Sequence, residues 1–236
     1  LGRCIAVDRG RKGDRVALLA RRKDLLDEAA VEAGSDSFAV RCDVTDESSC
    51  RDAVAEAVGT LGGLDALVYT TAVGLLQRIE DVDAAAWRRA FETNVIGASL
   101  ITATAVPHLE ETSGVAAYLS TVQGMLTPPW PGLGSYAVSK AALEKLVEAW
   151  RAEHPKVGFT RVSVGECAGG DGPAMTQFAN DWDQDLAAEV MPTWLDRHYM
   201  TGLLIDVEEL LRVMDTVLSL TAAASIPTVT VMPRHQ

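Results

Sequence analysis

The sequence predicts an α/β fold: a doubly wound parallel sheet within a three-layer αβα arrangement. Three observations predict it. Short apolar runs rich in β-branched residues alternate with longer amphipathic stretches along the chain. The runs are continuous rather than alternating, as in strands buried on both faces. No repeat, low-complexity segment or linker divides the 236 residues, so one domain over 1–236 is expected.

Each element follows in order. Arg15–Ala20 (RVALLA) reads as a buried strand. Lys23–Ala33 reads as a helix that Gly34 stops. Ser37–Arg41 is the next strand, Asp46–Leu61 a helix ended by Gly62-Gly63, and Ala66–Tyr69 a third strand. Asp83 has the short side-chain acceptor that caps a helix, here one running through Trp87 and Phe91. A long helix through Ile96–Leu109 follows, then strand Val115–Leu119 and a second long helix, Ser135–His154. Strand Thr160–Val164, helix Val207–Leu218 and strand Thr228–Val231 complete the pattern. Ligands of such folds bind beyond the carboxyl ends of the strands. The positions to inspect therefore follow Ala20, Arg41, Tyr69, Leu119 and Val164.

Composition narrows the function. Hydrophobic residues make up 48%, enough for a sizeable core, and the formal net charge is -12. An acidic body repels phosphate backbones, which argues against nucleic-acid binding. No apolar run reaches the roughly 18 residues of a membrane span and no signal-peptide pattern is seen, so a membrane protein is not expected. Cys4, Cys42, Cys50 and Cys167 have no CxxC spacing, so thiols in a reducing cytoplasm are expected. His108, His154, His198 and His235 are dispersed, so no metal site is expected.

The strongest chemical signal is Tyr136-Ala-Val-Ser-Lys140 at the start of a helix. Residues four apart share a helix face. An ammonium one turn from a phenol favours the phenolate and lowers its pKa from near 10. Such a phenol can exchange a proton with a substrate oxygen. Alone, the pair is a common helix-surface combination. Its context adds strand Ala116–Leu119 ending in Ser120-Thr121-Val-Gln-Gly124, then Gly132-Leu-Gly-Ser-Tyr136, and Thr93-Asn94-Val-Ile-Gly97 upstream. The combination resembles the short-chain dehydrogenase/reductase family over essentially the whole chain.

The resemblance implies a Rossmann-like fold and an oxidoreductase that interconverts an alcohol and a ketone or aldehyde. It implies Tyr136 as acid/base, Lys140 as its pKa-lowering partner, and Asn94 as the amide that shapes its helix and holds a water leading to the lysine. Counting back from Gly124 places Thr121 at the family's catalytic serine, with Ser120 as the fallback. Threonine keeps the hydroxyl and adds a methyl that restricts χ1.

For the cofactor, the resemblance implies a dinucleotide over the carboxyl edge of the sheet. Its Gly-rich turn is represented only by its end, with Gly2 as the last glycine of a TGxxxGxG pattern. The preceding strand, central in the family's sheet, is missing from the sequence as it begins. An origin upstream of Leu1 is expected, and a cofactor-deficient relative is the alternative. Arg21 and Arg22 follow the strand end at Ala20, where NAD-specific relatives place an acid. Guanidinium groups there suit a 2′-phosphate and favour NADP(H) over NAD(H). Asp43 and Val44 match the adenine-contacting pair. Two segments depart from pattern: Thr71 and Ala72 stand in the family's NNAG segment, and Cys167 and Ala168 replace its PG.

Residues 171–201 occupy the place of a substrate lid. Met175, Phe178, Trp182, Met191, Trp194 and Tyr199 there suit a small hydrophobic alcohol or carbonyl, or else an ordinary helical core. Trp130, in a Pro-rich loop, either approaches the substrate or packs at the surface. Relatives assemble through the two long helices, so a homodimer or homotetramer is expected. The competing reading is a degenerate member that binds nucleotide or protein without turnover.

Overall fold

The computed structural model describes residues 1–172 and 175–234; His235 lies outside the described residues. The chain opens with helix α1 (Gly2–Arg11), which the sequence reading leaves unassigned. Strand β1 (Ala17–Ala20), helix α2 (Lys23–Ala33), strand β2 (Phe38–Arg41), helix α3 (Glu47–Leu61) and strand β3 (Ala66–Tyr69) follow. The third strand leads through a loop to α4 (Ala84–Phe91), a π-helical turn (Glu92–Ile96) and α5 (Gly97–Thr112). Then come β4 (Val115–Thr121), the single turn α6 (Val122–Met125), α7 (Gly134–Glu153) and β5 (Gly158–Val164). Helices α8 (Gln184–Asp196) and α9 (Val207–Leu218) precede the last strand, β6 (Thr228–Val231).

Local chemistry sets the boundaries. The Asp46 carboxylate accepts from the Ser49 N–H at 2.9 Å and starts α3. Gly62 ends it at φ 81, a left-handed conformation that costs a glycine nothing. Asp83 caps α4 by accepting from the Ala86 N–H at 2.8 Å, as its position predicts. Every residue of β4 is buried, as a central strand covered on both faces requires.

The strands pair in parallel and form two sheets among the described residues. One is β1-β2; the other runs β3-β4-β5-β6. β1 and β3 do not pair with each other, and a cavity of about 980 Å³ lies beside both strands. Its wall includes Leu18 of β1, Leu67 of β3, Ile5 of α1 and Ile101 of α5. This is where the sequence reading leaves out a central strand. Core packing covers both faces of the larger sheet. Ile101, Ala105 and Leu109 of α5 join Leu143 and Val147 of α7 on one side, and Leu210, Met214 and Val217 of α9 join Ile5 of α1 in a second cluster. No helix among the described residues is long and apolar enough to cross a membrane.

Candidate active site

Beyond the carboxyl ends of β1 to β5 runs a cavity of about 1360 Å³. Tyr136 and Lys140 enter it from the first turns of α7, and both are buried. The Lys140 Nζ donates to the Leu119 carbonyl at 2.7 Å and stands 6.0 Å from the centre of the Tyr136 ring. Burial pulls the ammonium down to about 8, against the opposing attraction of Glu144.

The phenol behaves differently from the sequence expectation. Burial pushes the Tyr136 pKa up, and a hydrogen bond with Thr121 only partly opposes this. The cause is geometric: the Phe178 ring stands edge-on to Tyr136 with centroids 4.8 Å apart. Desolvation therefore outweighs the distant lysine.

The two candidate hydroxyls on β4 point to different partners. Thr121 bonds the Tyr136 phenol and caps the single turn α6. The Ser120 Oγ donates to the Glu144 Oε1 at 2.6 Å, inside the protein. Adjacent strand residues face opposite ways, so only one of them can reach the phenol.

Asn94 lies wholly buried in the π-helical turn. Its Oδ1 accepts from the Val73 N–H at 2.8 Å, and its Nδ2 donates to the Val73 carbonyl at 2.9 Å and to the Ser139 Oγ at 2.8 Å. Ser139 in turn donates to the Tyr136 carbonyl at 2.7 Å. The amide thus joins the loop after β3 to the turn of α7 that carries Tyr136. Asn94 itself is not part of the cavity wall, and its neighbour Thr93 is.

The residues assigned to the cofactor fall along the same cavity. Arg21, Arg22, Asp43, Val44, Thr71, Ala72, Cys167 and Ala168 all line it. Gly2 instead borders the cavity between the sheets, where an added Cβ would meet the Thr70 Oγ1 at 2.5 Å. The Asp43 carboxylate accepts from the Thr45 N–H and hydroxyl at 3.1 and 2.8 Å, which holds its pKa below the usual range. Arg22 donates to the Gln177 side chain at 2.5 Å, so a lid residue touches the cation expected at the cofactor phosphate.

The lid divides by role. Phe178, Trp182, Met191 and Trp194 line the cavity, while Met175 is exposed and Tyr199 packs behind them. Trp182 Nε1 donates to the Gly74 carbonyl and Trp194 Nε1 to the Pro131 carbonyl, both at 2.9 Å. Trp130 is buried against Trp194 at 5.4 Å between centroids. Phe178 fills the space beside Gly74, where a Cβ would lie 2.0 Å from its ring. Ion pairs Arg78–Glu189 and Arg89–Asp181 tie the lid's outer side to the body.

The model of the short-chain dehydrogenase family matches residues 1–185. The chain belongs to that family. Among its relatives, an 11-beta-hydroxysteroid dehydrogenase A of Sesamum indicum is 32% identical over 173 residues, 70% of this chain and 49% of that protein. An 11-beta-hydroxysteroid dehydrogenase-like 4A of Arabidopsis thaliana is 31% identical over 199 residues, 80% of this chain and 65% of that one. The chain spans about half the length of the first and 65% of the second. An alcohol dehydrogenase of the archaeon Thermococcus sibiricus, solved with 5-hydroxy-NADP, shares the fold at a TM-score of 0.78 and 20% identity. That superposition covers 97% of this chain and 89% of the archaeal one.

Several residues around this short-chain dehydrogenase site carry no sequence signal of their own. Ser139 lies inside the Tyr136–Lys140 spacing, and Glu144 follows Lys140 by one turn; neither is singled out by the sequence. Gln177 and Gly74 matter only because the lid folds back onto them, which no local pattern encodes.

Proposed function

We propose that this chain is an NADP(H)-dependent oxidoreductase, a single domain over 1–236, that interconverts a hydrophobic alcohol and its ketone or aldehyde. The observation that carries the reading is one cavity with Tyr136, Thr121 and Lys140 at one part of its wall and Arg21 and Arg22 at another. The NADP-related ligand of the archaeal neighbour and the family's membership of dehydrogenases support it.

The residues present fit a dinucleotide by the chemistry of their donors. Arg21 and Arg22 would take the 2′-phosphate. Asp43 keeps one carboxylate oxygen off Thr45 and would accept from the adenine amino group, with Val44 beside the ring. Thr71, Ala72, Cys167 and Ala168 would border the backbone and nicotinamide, and Lys140 the ribose; Gly2, on the other cavity, would not. When bound, the nucleotide supplies or accepts the hydride.

In the carbonyl-reducing direction, the Tyr136 phenol donates its proton to the substrate oxygen. Burial, which raises the phenol's pKa, keeps it in the acid form this step needs. Thr121 donates to the same oxygen, and the Lys140 ammonium steadies the phenolate left behind. Asn94 holds Tyr136 in place through Ser139. The aromatic walls Phe178, Trp182 and Trp194 suit an apolar substrate and exclude water. We assign the protein to the cytoplasm, and to a homodimer or homotetramer through α5 and α7. A monomeric mass by light scattering contradicts the last point.

A second reading has its own observation: Phe178 covers the phenol, and Arg22 is engaged by Gln177. On that reading the chain binds nucleotide or protein without turnover. Fluorescence titration with NADPH and NADH tests the cofactor assignment. NADPH is expected to bind at least tenfold more tightly, and Arg22→Ala to remove most of that preference. No binding of either nucleotide overturns the proposal.

A further inference from the structure

Glu144 is a buried acid next to the catalytic residues that plays no part in the proposed proton transfer. It sits on α7 one turn beyond Lys140 and is only 4% exposed, where an uncompensated carboxylate is costly. Its Oε1 accepts from Ser120, the residue before Thr121, at 2.6 Å. Its Oε2 lies 3.7 Å from the Arg161 Nη1, and Arg161 also pairs with Glu148 at 2.8 Å. A Cβ on Gly124 would fall 2.5 Å from the same Oε1, so the turn after Thr121 closes directly on the carboxylate. Three parts of the site therefore converge on Glu144: the end of β4, the turn α6 and the helical turn carrying Lys140.

We infer that Glu144 is a positioning residue, which fixes the end of β4 so that Thr121 faces Tyr136 and keeps the buried Lys140 in its ammonium form. The inference rests on the Tyr136–Lys140 reading for its catalytic consequence. Its geometry stands apart from that reading. The first half follows from pleat: with Ser120 held on Glu144, Thr121 must face the other way. The second follows from charge. Burial disfavours the ammonium, and the Leu119 carbonyl that accepts from it carries only a partial charge. Tyr136 and Glu144 on α7 act on Lys140, and Arg161 on β5 lies beyond Glu144. Of these, Glu144 is the carboxylate that opposes the burial of the ammonium. Arg161 opposes it by drawing on the same carboxylate.

The test is the titration of the Lys140 Nζ by NMR in ¹⁵N-lysine-labelled protein, which needs no turnover. Glu144→Gln keeps an acceptor for Ser120 and removes the charge. The Lys140 midpoint is expected to fall by about one pH unit, a tenfold loss of ammonium at fixed pH. Arg161→Gln removes the cation 3.7 Å from the carboxylate and is expected to raise the midpoint. Glu148→Gln removes a charge one turn further on and is expected to leave it within about 0.3 unit. Loosened packing moves the first two variants in the same direction, so their opposite shifts distinguish charge from structure. Should Glu144→Gln fail to fold, Arg161→Gln still decides. An unmoved or lowered midpoint in Arg161→Gln, or equal shifts in Glu144→Gln and Glu148→Gln, overturns the inference. Where the wild type turns over, the alkaline limb of its pH–rate profile is expected to move with the midpoint. Where it does not, the oxidoreductase reading fails and the titration still answers for Glu144.

Discussion

Lys140 is buried almost completely, and its amine donates to a neutral backbone carbonyl. Its ionisation is therefore tied to stability. Folding lowers its pKa from 10.5 to about 8, so between those values the unfolded chain holds a proton that the native protein releases. Stability consequently rises with pH across this window. Below it, both states are protonated and the full penalty of a buried charge remains; above it, both are neutral and the penalty is gone. Lys140→Met removes the group, and its stability relative to wild type is expected to fall by about 3 kcal/mol as pH rises through the window. Urea denaturation at a series of pH values checks this, and a pH-independent difference contradicts it. Tyr136 and Lys140 were legible in the sequence because their spacing is itself chemical information. The choice between Ser120 and Thr121 was not, because it depends on which way β4 presents each residue. The raised phenol pKa was not legible either, since Phe178 arrives from a segment about forty residues away.

At the scale of elements, the π-helical turn is the clearest case of local irregularity serving the site. It carries Asn94, whose amide makes three hydrogen bonds in place of regular helix packing. Asn94→Ala leaves both Val73 backbone groups and the Ser139 hydroxyl without these partners. It is expected to cost about 2–4 kcal/mol by thermal or denaturant unfolding. A loss near zero shows that water replaces the amide. Thr93-Asn94 was visible as a motif, but the turn itself was not, since one extra residue per turn leaves no mark on hydrophobic periodicity. Helix α1 escaped for a related reason: its segment Gly2–Arg11 carries Arg3, Asp8, Arg9 and Arg11 among its few apolar residues. The helices α3 and α4 were legible because Asp46 and Asp83 cap them where capping chemistry predicts.

Across the whole molecule, the two sheets leave β1 and β3 each with one unpaired edge and an apolar cavity beside them. Backbone groups there lack the ladder partners that slow exchange elsewhere. Hydrogen exchange read by mass spectrometry on this chain is expected to show β4 and β5, paired along seven residues, as the most protected segments. Residues 17–20 and 66–69 are expected to exchange faster. Equal protection of all four strands contradicts the split. The parallel order was legible because strand-helix alternation permits few other topologies. The gap was legible from the incomplete glycine pattern at Gly2. The closure of the lid onto the body, through Trp182, Trp194 and the Arg78–Glu189 and Arg89–Asp181 pairs, was not, because long-range contacts have no local signature.

The most direct test of the central claim is consumption of NADPH with a panel of apolar ketones and aldehydes, comparing wild type with Tyr136→Phe. Turnover that falls at least about 100-fold in Tyr136→Phe while NADPH affinity stays unchanged is the predicted result. NADPH binding without turnover by the wild type, or undiminished turnover by Tyr136→Phe, contradicts the assignment of Tyr136 as the proton donor.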